Sequence, residues 1–412
     1  MPVRPDRQMV DDGRLARVNT EEERAARRAE RVRPDSVTAI PTKWIGPIRI
    51  TSAGLGAGEA TEEIEVPLAT YESPLWPSCN RGADVSRMVK GGYQVTVLDE
   101  RMTRSVIFVA RSGAHAAATA QRIAARRDEL EAVVEAGSRF AKLIDIHTDI
   151  VGNLLYVRFA FTTGDASGHN MATQAAEAMM STVLSWDDQL AYGSISGNTC
   201  IDKKPSAING ILGRGRSVVV DICIPRHVVE GRLHTTAARI NALNYQKNWV
   251  GSSVAGALRS ANAHYANMLL AVYLATGQDA ANIVEGSQGF THTELRGEDL
   301  YFSCTLPHLI VGTVGNGKDL DHVNHAMERL GLRENRAPGA NARRLAVITA
   351  GAVACGELSL LAAQTNQGEL MNAHRTYERG GAGQAGRRAA SSEKNVVPER
   401  SAGAAEQGRE EK

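Results

Sequence analysis

The sequence predicts an α/β fold of the α+β kind, in which a large domain surrounds a central buried helix and a small ferredoxin-like module lies within the chain. Two patterns support this prediction. Between residues 93 and 195, segments follow the order strand, helix, strand, strand, helix, strand of a ferredoxin-like module. Residues 261–284 are rich in alanine and poor in charge, as expected of a buried helix. The 412 residues allow roughly two to three domains with an ample core.

The elements of the module follow from periodicity and composition. Its predicted strands are residues 93–98, 105–110, 141–147, 154–162 and 192–195. Its predicted helices are residues 114–136, with the alanine, arginine and glutamate content of one long helix, and residues 171–185. Farther along, His264 and Asn267 are three residues apart and share a face of the predicted helix over 261–284.

The charge balance and the cysteines limit which partners and which cellular compartment are expected for the protein. The 47 lysines and arginines balance 46 aspartates and glutamates, so there is no electrostatic reason to expect a nucleic-acid partner. The five cysteines are scattered, which argues against a disulfide framework or a zinc site and suits a reducing cytoplasm. The N-terminus lacks the apolar core of a signal peptide. We therefore expect a cytoplasmic protein with no metal.

The most apolar stretch and the two ends of the chain complete the organisation. Residues 345–363 contain Glu357, two glycines and many alanines, which favours a buried helix over a membrane span. Residues 1–36 are dense in charge and predict a charged arm. Residues 377–412 carry almost no large apolar side chains and predict a disordered tail.

Two glycine motifs are weak signals. Residues 312–319 nearly spell a phosphate-binding P-loop, but Asp319 stands where a hydroxyl would bind Mg²⁺ and would repel phosphate. We expect these glycines to let the backbone approach a ligand closely. Residues 381–386 match a dinucleotide fingerprint, but no strand precedes them, and the match is interpreted as chance.

A stronger candidate loop spans residues 164–171, between a predicted strand and a predicted helix. Backbone N–H groups and the helix dipole favour an anion at such a position. Asp165 or Ser167 is expected to cap the helix, a structural role that is compatible with anion binding.

Polar groups concentrate in residues 196–205, where two hydroxyls, an amide, a carboxylate and two ammonium groups share one short loop. Together with residues 275–282 and 312–317, this loop resembles the hydroxymethylglutaryl-CoA reductase family, as a soluble bacterial member of the NADPH-dependent class. The resemblance covers about residues 37 to 376. It implies a large substrate domain over 37–104 and 196–376, interrupted by an inserted ferredoxin-like NADP-binding domain over 105–195.

The resemblance also implies a mechanism. Two hydride transfers would convert 3-hydroxy-3-methylglutaryl-CoA into mevalonate and CoA. Lys203 would stabilise the thioester oxyanion, Glu72 would protonate the carbonyl oxygen of mevaldehyde, and Asp279 would hold both in one hydrogen-bonded set. His374 would protonate the departing CoA thiolate. The implied substrate contacts are Arg104, Ser196, Asp202, Lys204, Lys247, His264 and Asn267, while Thr199 and Ile201 depart from the Tyr and Thr common in the family.

The implied cofactor site is the loop at Asp165, Ala166, Ser167, Gly168, His169 and Asn170, with Ser167 and His169 where many members have methionines. Eukaryotic members carry a Ser-Arg pair for the 2′-phosphate at the preceding strand end, where this chain has Phe161 and Thr162. No acid stands there to select NAD. We therefore expect NADPH, with Arg81 or Arg87 as the substitute clamp, and NADH as the alternative.

The family's site is shared between subunits, which implies a homodimer or a dimer-based oligomer with HMG-CoA and CoA as ligands. Eukaryotic members are membrane-anchored, and no segment of this sequence is expected to serve as such an anchor. Two other functions stay open. One is a catalytically silent relative that binds CoA thioesters, and the other is the same enzyme run oxidatively with NAD in mevalonate degradation.

Overall fold

The structure, a computed structural model, describes residues 36–379 except Ala57 and Asn316, with backbone alone for 378 and 379. The chain divides into two units, Met1–Ile40 and Pro41–Lys412. All that follows concerns the second unit. The predicted arm up to residue 35, the predicted tail beyond 379 and the glycine motif at 381–386 lie outside the described residues.

A large mixed sheet forms the centre of the fold. Its strands are β1 (Thr42–Ser52), β2 (Ala60–Ala69), β3 (Tyr93–Val109), β7 (Gly215–Ile224), β8 (Ser260–Ala261), β9 (Gly289–Arg296) and β10 (Asp299–Leu309). Their order is β2-β1-β3-β7-β10-β9-β8. Neighbours are antiparallel except that β1 pairs with β3, and β8 with β9, in parallel.

A second, smaller sheet grows out of β3. The first half of β3 pairs with β7 as far as Arg101, and the second half pairs with β5 (Leu154–Phe161) from Met102 onward. The outer strands are β4 (Leu143–Val151) and β6 (Ala191–Ser194), so the order is β4-β5-β3-β6. This is the ferredoxin-like arrangement that was predicted. The prediction of separate strands at 93–98 and 105–110 was wrong, because the polar residues between them stay paired in one 17-residue strand.

The helices on the small sheet differ from prediction in one respect. Residues 114–136 do not form one helix: α2 (Gly113–Ala125) and α3 (Arg127–Gly137) meet at Arg126, whose φ of −107° and ψ of 29° interrupt the helix. The third helix of this layer is α4 (His169–Ser185). A core of its own fills the space between these helices and the sheet, with Phe108, Phe159 and Met179 fully buried.

The remaining helices cover the large sheet. They are α1 (Leu75–Met88), α5 (Ala207–Leu212), α6 (Arg226–Leu233), α7 (Ala237–Leu243), α8 (Ser252–Val254), α9 (Tyr265–Ala275), α10 (Ile283–Gly286), α11 (Asp321–Arg329), α12 (Ala340–Gln364) and α13 (Glu369–His374). Asn244–Gly251 and Arg375–Arg379 form π-helical segments, and Ala280–Asn282 forms a 3₁₀ turn.

The long helix α12 lies at the centre of the large core, as predicted for residues 345–363. It is the one helix of the described chain that is long and apolar enough to cross a membrane, and 94% of its most apolar window is buried inside the protein. Gly82 of α1 permits the close approach, since a Cβ there would meet the backbone of Cys355 at 2.2 Å. The carboxylate of Glu357 accepts hydrogen bonds from the N–H groups of Ala263 and His264.

The prediction of one helix over 261–284 was wrong. Only α9 is continuous, and the chain then turns through residues 276–279 before the 3₁₀ segment and α10. The positive φ of Gly277, +61°, ends the helix. His264 precedes α9 with a φ of −160°, so it does not share a helical face with Asn267. This turn is important because it presents Asp279 beyond the end of a buried helix.

Candidate active site

The lysine loop, residues 196–205, has an unusual backbone. Asn198, Ile201 and Lys203 all have positive φ, at 58°, 37° and 56°. For the β-branched Ile201 this conformation is strained, and such strain persists only where surrounding contacts enforce it. The contacts here are a hydrogen bond from the N–H of Cys200 to Ser105 Oγ (3.1 Å) and one from Asn209 Nδ2 to the carbonyl of Ile201 (2.9 Å).

The side chain of Lys203 meets Asp279, with Nζ 2.6 Å from Oδ2. This hydrogen bond is the main cause that raises the pKa of Lys203. Burial alone would raise the pKa of Asp279, but the bonds from Lys203 and from the N–H of Ala281 (3.1 Å) outweigh it and lower that pKa. The pair therefore stays charged, as an ammonium donor beside a carboxylate, over the ordinary pH range.

Two buried charges hold the lysine loop from behind, and sequence reasoning missed both. Arg214, 1% exposed, donates to Asp202 Oδ1 at 2.5 Å and lies 3.6 Å from Glu285 Oε1. Glu285, fully buried, accepts the N–H of Lys203 at 3.2 Å. Burial is the main cause that raises the pKa of Glu285. The signal was present in the sequence, because Glu285 is the one acid or base in the otherwise uncharged residues 280–291.

Asp202 is the point where these groups converge. Burial would raise its pKa, but the hydrogen bond to His169 and the charges of Arg214 and Lys203 hold it far below its usual range. Asp202 is therefore an anion fixed between the loop at 164–171 and the buried arginine. Its neighbour Lys204 donates to the carbonyl of Asp202 at 3.1 Å and is exposed, so the two lysines do face different surroundings.

Glu72 lies in a second region, a cavity of about 710 Å³ that is also lined by His264, Asn267, His374 and Arg81. Asn267 Nδ2 donates to Glu72 Oε2 at 3.2 Å. The Nε2 atom of His264 is buried and has no hydrogen-bond partner among the described residues. This combination of a carboxylate, an amide and two imidazoles in one large cavity suits a polar ligand with acid-base chemistry.

Arg81 was expected as a cofactor clamp, but within one chain its partners lie away from the cofactor loop. Its guanidinium donates to Ser359 Oγ (2.9 Å), to the carbonyl of Ser359 (2.6 Å) and to Glu369 Oε1 (2.5 Å). These bonds tie α13, which carries His374, to α1 and α12. Arg87 is also engaged, by Pro47 and Asp84. Neither arginine lines the cavity beside the cofactor loop.

The two regions are separate within one chain. Among the described residues, no hydrogen bond or ion pair joins Glu72 to Lys203 or Asp279. Asn267 lies in the first turn of α9 and Asp279 beyond its last residue, so roughly 12 Å of helix separates them. The structure therefore brings Asp279 to Lys203 but leaves Glu72 and His374 in the other region.

The other predicted substrate residues are distributed around the two regions. Arg104 lies on β3, and its buried Nε has no partner among the described residues. Ser196 is exposed in the lysine loop. Lys247 lies in the first π-helical segment, where burial lowers its pKa and Nζ is 3.4 Å from Asn248 Oδ1.

The predicted cofactor loop is anchored by its backbone and by Asp165. Both oxygens of Asp165 accept N–H groups at the start of α12, from Gly339 (3.0 Å) and Ala342 (2.9 Å). The expectation that Asp165 or Ser167 caps α4 was wrong, since Gly168 precedes that helix and no side chain caps it. The first N–H groups of α4 are left available to a ligand, and the exposed Asn170 lies among them.

The glycine loop at 312–317 packs against the cofactor loop at Gly312, Thr313 and Val314. A Cβ on Gly312 would lie 2.4 Å from the nitrogen of Ser167, and Ala166 forms a β-bridge with Val314. The N–H of Thr313 donates to the carbonyl of Asp165 at 2.8 Å. Close packing of two loops therefore explains the glycine at this position.

Two cations beside the cofactor loop were not predicted. Arg139 and Lys142 line a cavity of about 340 Å³ together with Thr163 and Ser167. The N–H of Lys142 donates to Thr162 Oγ1 at 3.1 Å, so this segment lies directly against the end of β5. Both side chains are exposed, although Lys142 is 2.7 Å from Glu135. A 2′-phosphate contact was sought at residues 161–162 of the sequence, whereas these two cations follow α3, about 20 residues earlier in the chain.

The two-sheet architecture with a ferredoxin-like unit is shared with solved structures. One is the class II 3-hydroxy-3-methylglutaryl-CoA reductase of Streptococcus pneumoniae bound to NADPH, with a TM-score of 0.64 and 19% identity over 84% of this chain and 93% of that chain. At this identity the likeness is one of fold.

Sequence comparisons are more specific. A family model described as hydroxymethylglutaryl-coenzyme A reductase matches residues 17–379. The 3-hydroxy-3-methylglutaryl-coenzyme A reductase of Aeropyrum pernix is 42% identical over 350 residues, 84% of this chain and 81% of that protein. That of Pyrococcus abyssi is 43% identical over 347 residues, 83% of each. The chain therefore belongs to the hydroxymethylglutaryl-CoA reductase family.

Proposed function

We propose that this protein reduces 3-hydroxy-3-methylglutaryl-CoA to mevalonate and CoA, in the mevalonate route to isoprenoids, by two hydride transfers from NADPH. The observation that carries the proposal is the Lys203–Asp279 pair, 2.6 Å apart, in which Lys203 lies on a strained loop supported by buried charges. Its relatives bear the name of this reaction. The charged groups around Lys203 and the cavity at Glu72 supply the groups that the reaction needs.

Lys203 is the donor for the oxyanion. When hydride adds to the thioester carbonyl carbon, negative charge develops on the oxygen, and a preorganised ammonium group stabilises it. The hydrogen bond to Asp279 keeps Lys203 protonated and directed. Removing one donor of this kind typically costs about 3 to 4 kcal/mol of transition-state stabilisation.

Glu72 and His374 would act as the proton donors. After the first hydride addition, the hemithioacetal oxyanion collapses to mevaldehyde and CoA thiolate, and the thiolate takes a proton from His374. In the second reduction, Glu72 delivers a proton to the carbonyl oxygen of mevaldehyde as hydride reaches the carbon. The carboxylate, hydroxyl and thioester groups of the substrate would be held by the other predicted substrate residues, which are Arg104, Ser196, Asp202, Lys204, Lys247, His264 and Asn267.

The choice of NADPH rests on the cavity beside the cofactor loop. Bound reduced nicotinamide supplies the hydride, and the uncapped N-terminus of α4 suits the dinucleotide phosphates. Arg139 and Lys142 would hold the 2′-phosphate, which NADH lacks. The dinucleotide would contact the other residues of the cofactor loop, which are Ala166, Ser167, Gly168, His169 and Asn170.

Arg139→Ala is expected to lower the preference for NADPH over NADH about tenfold or more, because one charge-assisted contact to phosphate is lost. Affinity for 2′,5′-ADP measured by calorimetry should fall with it, while that for 5′-AMP should not. Arg111→Ala, which removes an exposed arginine outside this cavity, is the matched control. An unchanged affinity for 2′,5′-ADP would remove Arg139 from the cofactor site.

A second copy of the chain is proposed to complete each active site. Lys203 and Asp279 lie in one region, and Glu72 and His374 lie in another, so the four groups do not meet within one chain. A symmetric dimer can place the first region of one subunit against the second region of its partner. Each dimer would then hold two composite sites.

This arrangement predicts complementation. Lys203→Ala and Glu72→Gln subunits are each inactive, but a mixed dimer carries one site with both residues intact. After random subunit exchange, activity should recover to about a quarter of the wild-type value. Mixing each variant with itself is the control. If the mixture stays inactive although mass spectrometry shows mixed dimers, the shared site is excluded.

The reaction itself is tested by following absorbance of the reduced nicotinamide with purified protein, HMG-CoA and NADPH or NADH. Lys203→Ala should lower kcat about 100- to 1,000-fold, while Lys90→Ala, an exposed lysine on the α1–β3 connection, should not. A folded protein that binds HMG-CoA without turnover would instead be a silent CoA-thioester-binding relative. Faster turnover from mevalonate, CoA and NAD would favour the oxidative direction. A cytoplasmic location stays a prediction from composition.

A further inference from the structure

His169 connects the two loops that the proposed reaction must bring together. It is the first residue of α4, directly after the cofactor loop. Its Nε2 atom lies 3.4 Å from Asp202 Oδ1 in the lysine loop and 3.3 Å from Asn282 Nδ2. Sequence reasoning placed His169 only among the cofactor contacts. In the structure its ring reaches across to the substrate side.

The contacts continue from both partners to Lys203. Asp202 directly precedes Lys203 and is held by Arg214. Asn282 Nδ2 donates to Glu285 Oε1 at 3.0 Å, and the same oxygen accepts the N–H of Lys203. A displacement of the His169 ring therefore acts on the lysine loop through two short paths, both of which also contact Arg214.

The ring nitrogen has two alternative roles. To bond with Asp202, Nε2 must donate a proton, whereas to bond with Asn282 it must accept one. One nitrogen cannot do both at once. The ring therefore bonds either to the lysine loop or to the Asn282–Glu285 pair. This makes it a two-state element between the cofactor loop and the lysine loop.

We propose that His169 couples dinucleotide binding to thioester binding, so that each ligand tightens the binding of the other. This proposal rests on the proposed reductase function. A dinucleotide at the N-terminus of α4 orders the loop that carries His169 and favours its bond with Asp202. The ordered Asp202 and Lys203 then bind the thioester with less loss of entropy. His169 is thus a positioning residue that acts through Asp202.

The test is a coupling measurement on the full chain that requires no turnover. Calorimetry gives the Kd of NADP⁺ alone and with saturating HMG-CoA, and the ratio of the two values is the coupling factor, which is reciprocal. We expect a factor of about five or more for the wild type. In His169→Met the factor should fall to within about twofold of one, because a thioether cannot donate to Asp202.

Two further variants separate positioning from simple damage. His169→Gln places an amide donor near the position of Nε2 and should restore part of the coupling. His147→Met removes an imidazole from another histidine–aspartate pair, His147–Asp149 at 3.2 Å on β4, and should leave the coupling unchanged. Equal unfolding midpoints of the four proteins would show that the fold is intact.

The outcomes are distinct. A wild-type factor near one, or an unchanged factor in His169→Met, overturns the inference. A His169→Met protein that binds HMG-CoA but no NADP⁺ also overturns it, because the ring would then be required for cofactor binding itself and not for coupling. If the wild type binds neither ligand, the reductase function itself fails and the coupling fails with it.

Discussion

The Lys203 region and the Glu72 region differ in how completely one chain builds them. Around Lys203, each charged group has a charged or hydrogen-bonding partner, and the backbone is held in a strained conformation. Around Glu72, the carboxylate meets one amide at 3.2 Å, and His374 lies on α13, a helix with no buried residue. The first region is preorganised, and the second is open.

The difference between the two regions indicates that substrate binding must supply the free energy to order the Glu72 region, whereas the Lys203 region is already ordered. An oxyanion donor has to be in place before charge develops, so it belongs on a rigid loop with its electrostatics already arranged. The region that holds the proton donors for the thiolate and the aldehyde must admit a bulky CoA ester and then exclude water. An open cavity beside a short helix allows both. The following predictions test this contrast, from the largest expected effect to the smallest.

Removing the arginine behind each region should have unequal effects on stability. Arg214→Met leaves Glu285 buried without its cation and should lower the free energy of unfolding by about 3 to 5 kcal/mol. Arg81→Met removes the partly exposed link between α13 and the core and should cost only about 1 kcal/mol. Urea unfolding of both variants measures this. Equal losses would contradict a preorganised Lys203 region.

Acid should destabilise the protein through a buried histidine behind the Lys203 region. His308 is fully buried beside the carbonyl of Arg214 (Nδ1 at 3.3 Å), and burial is the main cause that lowers its pKa to about 4. In the unfolded chain a histidine has a pKa of about 6.5, so between about pH 6.5 and 4 the unfolded state binds more protons. Stability therefore falls as the pH drops through this window.

The loss attributable to His308 should approach about 3 kcal/mol. His308→Gln keeps a donor for the carbonyl of Arg214 but cannot titrate. Urea unfolding at several pH values should therefore show a smaller acid-dependent loss in His308→Gln than in the wild type. Parallel pH profiles for the two proteins would show that His308 does not titrate in this way.

The open region should show its mobility in amide exchange. The short helix α13 contains no buried residue and is tied to the core through Arg81 and Asn366, whereas α12 is almost entirely buried. Amides of α13 should exchange at least about tenfold faster than those of α12. HMG-CoA should slow exchange in α13, and Arg81→Met should accelerate it. Equal protection of both helices would mean that this region is already closed.

Much of the molecule could be predicted from the sequence. Strand and helix patterns indicated the ferredoxin-like module, and the apolar run at 345–363 indicated the buried helix α12. The polar loop at 196–205 and the segment at 275–282 were singled out as chemistry, and the structure joins Lys203 to Asp279. These features are local, because periodicity, turn residues and clusters of polar groups are written in consecutive residues.

Contacts between distant segments were decided only by the tertiary structure. Arg214 and Glu285 act together because the loop before β7 and helix α10 meet at one buried point. Arg139 lines the cavity beside the cofactor loop because the segment after α3 lies against the end of β5. The partners of Arg81 could not be predicted for the same reason, since Ser359 and Glu369 lie almost 300 residues away in the sequence. The sequence determined which residue types carry the chemistry. Packing alone decided which of them meet, because the partner of a buried charge is chosen by the fold and not by its neighbours in the chain.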